Sequence, residues 1–113
     1  MIDGACRLKL IDFGLATSSE NSLSRLCGTL EFVAPEVFQE KYDNKCDLWA
    51  VGVITYMLLT NRSPFFGNSD QHTSELIGNY DYTLNREWEG LSEGAKSFIE
   101  CLLARDVSKR WSA

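Results

Sequence analysis

The period of apolar and polar positions changes several times along the chain. Residues 7–11, RLKLI, alternate weakly and end on Leu10 and Ile11, which predicts a short strand with a buried end. Residues 17–25, TSSENSLSR, are polar, serine-rich and aperiodic, so they predict an exposed loop. Pro35 suits a first helical position and predicts a short helix to about Gln39. Tyr42, Asp43 and Asn44 precede a helix over about 45–60 and supply its cap. Its stretch LWAVGVITYMLL, residues 48–59, is hydrophobic all round but too short for a bilayer, which predicts a helix inside a core. Asn61 can take the left-handed conformation that ends it.

Beyond the break RSPFFG, Asn68 and Gln71 stand at capping-box spacing and open a modest helix through Leu76 and Ile77. Residues 79–90, NYDYTLNREWEG, read as a loop carrying aromatics. Ser92 caps a last helix with Ala95, Phe98, Ile99, Leu102 and Leu103 on one face. No internal repeat or low-complexity segment interrupts this pattern. It predicts a mainly α domain with one short β-strand or hairpin at its N-terminus.

Composition narrows the function. The chain has 113 residues, enough for one small domain, and 44% of them are hydrophobic. A net charge of −5 leaves no basic footprint for nucleic acid, and no segment predicts a membrane partner. The acids Glu75, Asp81, Glu87, Glu89 and Glu93 either attract a basic partner or form a solvated face. Cys6, Cys27, Cys46 and Cys101 lack zinc-like spacing. They read as reduced thiols of a cytoplasmic protein without a secretory leader, with two disulfides as the alternative. His72 has no ligand-spaced neighbour and reads as a surface helix residue.

Candidate chemistry begins at KLIDFGLAT, residues 9–17. A carboxylate just beyond a strand, Asp12, suits magnesium, which takes hard oxygens and often only one or two protein carboxylates. Phe13 would anchor the turn in apolar surroundings, and Gly14 would let the backbone swing. The alternative is an aspartate that caps a turn.

Three further motifs follow: CGTLEFVAPE at 27–36, CDLWAVG at 46–52 and RDVSKRWSA at 105–113. In that order the set resembles the large, C-terminal lobe of a eukaryotic serine/threonine protein kinase. GVITYMLLTNRSPFFG and EGLSEGAKSFIECLLARDVSKRWSA are similar to the calcium/calmodulin-dependent group, in its myosin-light-chain-kinase and death-associated-kinase branch. The resemblance covers the chain from Lys9 to Ala113, and residues 1–113 as a whole are expected to form part of a kinase domain.

The resemblance implies that Asp12 holds magnesium bridging the phosphates of ATP. It makes residues 15–33 the activation and substrate-docking segment. Thr29 would stand beside the catalytic base, with a protein Ser or Thr as substrate; the alternative is a turn hydroxyl bonding its own backbone. Glu36 would pair with Arg110, shielded from water, as scaffold. Asp47 would hold the backbone of the catalytic loop, or serve as a helix-start carboxylate favoured by the macrodipole. Trp49 and Gly52 are expected to pack. Thr17, Ser18, Ser19, Ser22 and Ser24 are possible phosphosites or simply a solvated loop. Leu30 replaces a frequent proline, and Arg25 occupies the region where some relatives carry an activating phosphothreonine.

The 113 residues contain no Gly-rich phosphate loop, no Val-Ala-x-Lys strand and no His-Arg-Asp catalytic loop. The small lobe, the catalytic loop and the general base are thus absent from the sequence. The expectation is a piece of a larger enzyme with little activity alone, or else a pseudokinase or protein-binding remnant. Calmodulin would act through a region outside this chain. The central helix should also retain exposed apolar surface, and Asp47 should lack its backbone donors.

Overall fold

Helix α1, Lys45–Thr60, packs most closely on the last helix, residues 93–102, and also meets the short helix at 86–89 and the 3₁₀ turn Leu30–Phe32. In this computed structural model, residues 2–17, 28–39, 42–82 and 86–113 are described. Asp43 starts α1 by accepting the Lys45 amide at 2.9 Å, whereas the Asn44 side chain makes no cap bond. Asn61 ends it in the left-handed region (φ 55°, ψ 27°), its amide donating to the Met57 carbonyl at 2.8 Å.

α1 is not buried all round. It buries Trp49, Gly52, Val53, Tyr56 and Thr60 but exposes Val51, Ile54, Leu58 and Leu59. Val51, Ile54 and Leu58 fall at helical spacing on one stripe. A short apolar helix can thus be half-covered, and composition alone does not reveal which half.

Helix α2 spans Asp70–Asn79. Its cap is Ser69, not Asn68: the Ser69 hydroxyl accepts the His72 amide at 3.1 Å, while the Asn68 side chain contacts the His72 ring. The segment expected as a loop over 79–90 contains the single-turn helix α3, Arg86–Glu89. Trp88 on α3 stacks on Tyr56 of α1 with ring centroids 5.6 Å apart, and Tyr82 meets Trp88 edge-on. Burial of large rings, not sequence period, orders the turn at Arg86–Glu89.

Helix α4, Glu93–Leu102, is capped by Ser92, whose hydroxyl accepts the Ala95 amide at 3.3 Å. Ile99, Leu102 and Leu103 are buried, and Phe98 sits at the rim edge-on to Trp111. α4 lies tight against α1 at Gly52. A Cβ there would come within 2.9 Å of Leu102 Cβ, so the glycine is a close-approach position.

The expected strand over 7–11 is reduced to one antiparallel bridge between Ile2 and Leu8. Asp3 closes the turn between them, accepting the Ala5 and Arg7 amides at 2.9 and 3.0 Å. Leu10 is 84% exposed and Ile11 is also exposed, so no buried strand end forms. A two-stranded ribbon without a covering layer is marginal at best. Among the described residues, no helix is long and apolar enough to cross a membrane.

Candidate functional site

The site is built around the chain from Gly28 to Gln39. Gly28 has φ +100°, a conformation that L side chains rarely adopt, and so redirects the chain into Thr29. Thr29 is extended and opens a 3₁₀ turn, Leu30–Phe32, closed by the Phe32 amide on the Thr29 carbonyl at 3.0 Å. Its exposed hydroxyl makes no cap bond to that turn. Pro35–Gln39 forms a second 3₁₀ turn, the short helix expected from Pro35. Val33, Ala34 and Val37 are buried and pin the segment to the core.

Glu36 points inward and meets Arg110, which is 2% exposed. The Arg110 Nη1 donates to Glu36 Oε1 and to the Lys45 carbonyl, the latter at 3.0 Å. Its Nη2 donates to Glu36 Oε2 and to the Ala104 carbonyl, both at 3.0 Å. Nε also donates to the Ala104 carbonyl, at 3.2 Å. All five guanidinium donors therefore have acceptors, which is what makes a buried charge tolerable. The guanidinium also stacks over the Trp49 ring, 5.1 Å from its centroid. Trp49 is itself fully buried and stacked on Phe65 at 5.4 Å.

In front of this clamp lies a cavity of about 360 Å³, lined by Thr17, Thr29, Phe32, Asn44, Cys46 and Asp47 among others. It brings together three residues singled out from the sequence, Thr17, Thr29 and Asp47. The Asp47 carboxylate is exposed in the first turn of α1, and its described side-chain contact is the Cys46 thiol at 3.8 Å. Burial, reinforced by the carboxylates of Asp47, Glu36 and Asp43, pushes the Cys46 thiol up to about 11. Cys46 therefore stays a neutral thiol in the cavity wall. Cys6, Cys46 and Cys101 are all free.

Asp12 does not line this cavity. It is exposed and left-handed (φ 62°), and its Oδ1 accepts the Gly14 amide at 3.3 Å. Aspartate tolerates this region because its short side chain bonds the local backbone. Phe13 is 70% exposed, which corrects the expectation: among the described residues nothing supplies the apolar surroundings for its ring. Among the described residues no three acidic, His or Cys side chains gather to hold a metal. One hard carboxylate suits a magnesium ion that takes its other ligands from phosphate and water.

Ser18, Ser19, Ser22 and Ser24 lie outside the described residues, as do Arg25 and Cys27. Two residues at the site carried no readable signal in the sequence. Cys46 has no patterned neighbour. The Lys45 ammonium donates to the carbonyls of Val107 and Arg110, partners 62 and 65 positions away.

The whole chain, residues 1–113, matches the protein kinase domain family. It is 42% identical over 116 residues to the serine/threonine-protein kinase DCLK1 of Rattus norvegicus, covering 98% of this chain and 27% of that protein. It is 45% identical over 112 residues to the calcium/calmodulin-dependent protein kinase type I of Schizosaccharomyces pombe, covering 94% and 33%. It is 44% identical over 111 residues to myosin light chain kinase 3 of Homo sapiens, covering 95% and 14%. The chain thus spans a third or less of the length of these relatives.

Proposed function

We propose, because this chain belongs to the protein kinase domain family, that it forms part of a serine/threonine kinase that transfers the γ-phosphoryl of ATP to a protein hydroxyl. The observation that carries the reading is the Glu36–Arg110 clamp, together with the one cavity that Thr29 and Asp47 both line. Phosphoryl transfer depends on positioning and charge neutralisation, and a rigid docking segment is what positioning requires. Thr29 offers an exposed hydroxyl to orient the acceptor Ser or Thr. Asp47, in its exposed place at the start of α1, is available to backbone donors of a catalytic loop.

Asp12 is the residue that would hold magnesium, with its carboxylate. The ion, when bound with ATP, neutralises the developing charge on the phosphates. The 113 residues alone contain no general base and no phosphate-gripping lysine, so they are inactive by themselves. The enzyme is cytoplasmic, and the similarity to a relative named as calcium/calmodulin-dependent makes calmodulin a partner of the longer protein, through a region outside this chain.

The test compares two proteins. A longer enzyme containing this sequence phosphorylates a serine peptide with Mg-ATP, and Asp12→Asn lowers its turnover by at least about a hundredfold. The 113-residue chain gives no transfer and no micromolar nucleotide binding. Transfer by the short chain refutes its inactivity. A longer protein that never transfers phosphate, with Asp12 intact, favours a pseudokinase or a protein-binding platform.

A further inference from the structure

Lys45 is a cation in a place that helix electrostatics disfavours. It is the first residue of α1, where the macrodipole is positive. Every polar group it carries is nevertheless engaged. Its amide donates to Asp43 Oδ1 at 2.9 Å. Its Nζ donates to the Val107 carbonyl at 2.9 Å and the Arg110 carbonyl at 3.0 Å. Its own carbonyl accepts Arg110 Nη1 at 3.0 Å. Lys45 and Arg110 thus hold each other reciprocally, the side chain of each on the main-chain carbonyl of the other.

The acceptor side of this clamp is formed in advance. Asp106 Oδ1 accepts the Ser108 amide at 3.0 Å and the Ser108 hydroxyl at 2.7 Å. The Lys109 and Arg110 amides donate to the Asp106 carbonyl at 2.9 and 3.1 Å. That turn leaves the Val107 and Arg110 carbonyls within reach of one ammonium. A point charge with three donors on a flexible stem can serve both.

We propose that Lys45 is a positioning residue for residues 28–37. It fixes the main chain of Arg110, hence the guanidinium that holds Glu36, and hence the register in which Thr29 is presented. The proposal rests on the reading of residues 15–33, which include Thr29, as the activation and docking segment. Its mechanical part is independent of nucleotide and turnover.

Amide hydrogen exchange on the 113-residue chain tests it. The amides of Phe32, Val33 and Val37 each donate to a carbonyl of their own segment at 3.0 Å and report its order. Lys45→Met is expected to accelerate these three about tenfold, while amides inside α4 keep their rates. Lys45→Arg restores most of the protection. Lys45→Gln gives a smaller acceleration in the same amides and replaces the Met variant should that one fail to fold. Acceleration confined to 106–110 overturns the proposal, because Lys45 is then a local staple. Uniform acceleration of all amides overturns it too, because the effect is then global stability. In a longer active enzyme, Lys45→Met raises the peptide KM and leaves the ATP KM unchanged. An enzyme without activity would sink the kinase reading and leave the exchange result standing.

Discussion

Arg110 and Glu36 show how a buried charge is kept at the scale of one residue. Both carboxylate oxygens and all five guanidinium donors are engaged, and the pair is shielded from water. Glu36→Gln or Arg110→Met strands the other partner and is expected to cost about 3–5 kcal/mol. That approaches the whole stability of a small domain, so the single variants should lose a cooperative urea transition. The double variant Glu36→Leu with Arg110→Met removes both charges and should regain a cooperative urea transition that the single variants lack. Cys46 gives a second prediction at this scale. Its folded-state pKa lies above the unfolded one, so its contribution to stability is complete below about pH 8 and is lost as pH rises towards about 11. Near pH 8, iodoacetamide should label Cys46 on the order of a hundredfold more slowly than exposed Cys6, as mass spectrometry of the labelled peptides will show.

Between elements, the closest approach is that of α1 and α4 at Gly52. Gly52→Ala gains helix propensity of about 1 kcal/mol but places its methyl within 2.9 Å of the Leu102 and Leu103 side chains. Overpacking of this kind costs about 1–3 kcal/mol, so the net effect is a loss, read as a lower urea midpoint. Gly94, at the start of α4, has open space around it. Gly94→Ala should therefore stabilise, and the two substitutions together separate propensity from packing. The caps of α2 and α4 show the same division of causes. Ser92 was legible as a cap, whereas Asn68 yielded its place to Ser69, one residue on, because only that hydroxyl reaches the His72 amide. Capping chemistry is local, but its register depends on where the preceding loop delivers the chain.

Across the whole molecule, the face of α1 carrying Val51, Ile54 and Leu58 is left without cover among the described residues, and Leu58 is 80% exposed. An exposed apolar face of this kind favours self-association. Val51→Glu combined with Leu58→Lys should keep the purified 113-residue chain monomeric at concentrations where the parent chain aggregates, as light scattering will register. Its urea midpoint should change little, since neither side chain is buried.

The sequence by itself determined the helices at 45–60 and 93–102, the left-handed stop at Asn61 and the short turn after Pro35. Each rests on bonds within a few residues, which local residue types encode directly. It also carried the pairing of Glu36 with Arg110, though only through resemblance to a family. The tertiary structure alone decided which face of α1 is buried and that 79–90 folds an extra turn under Tyr56. It decided too that Leu10, Ile11 and Phe13 stay exposed. Lys45 belongs with these, since its carbonyl partners lie more than sixty positions away. The physical reason is common to all four. Burial and long-range hydrogen bonds are properties of what packs against a residue, and a period along the chain records only that a face is apolar, not whether anything covers it.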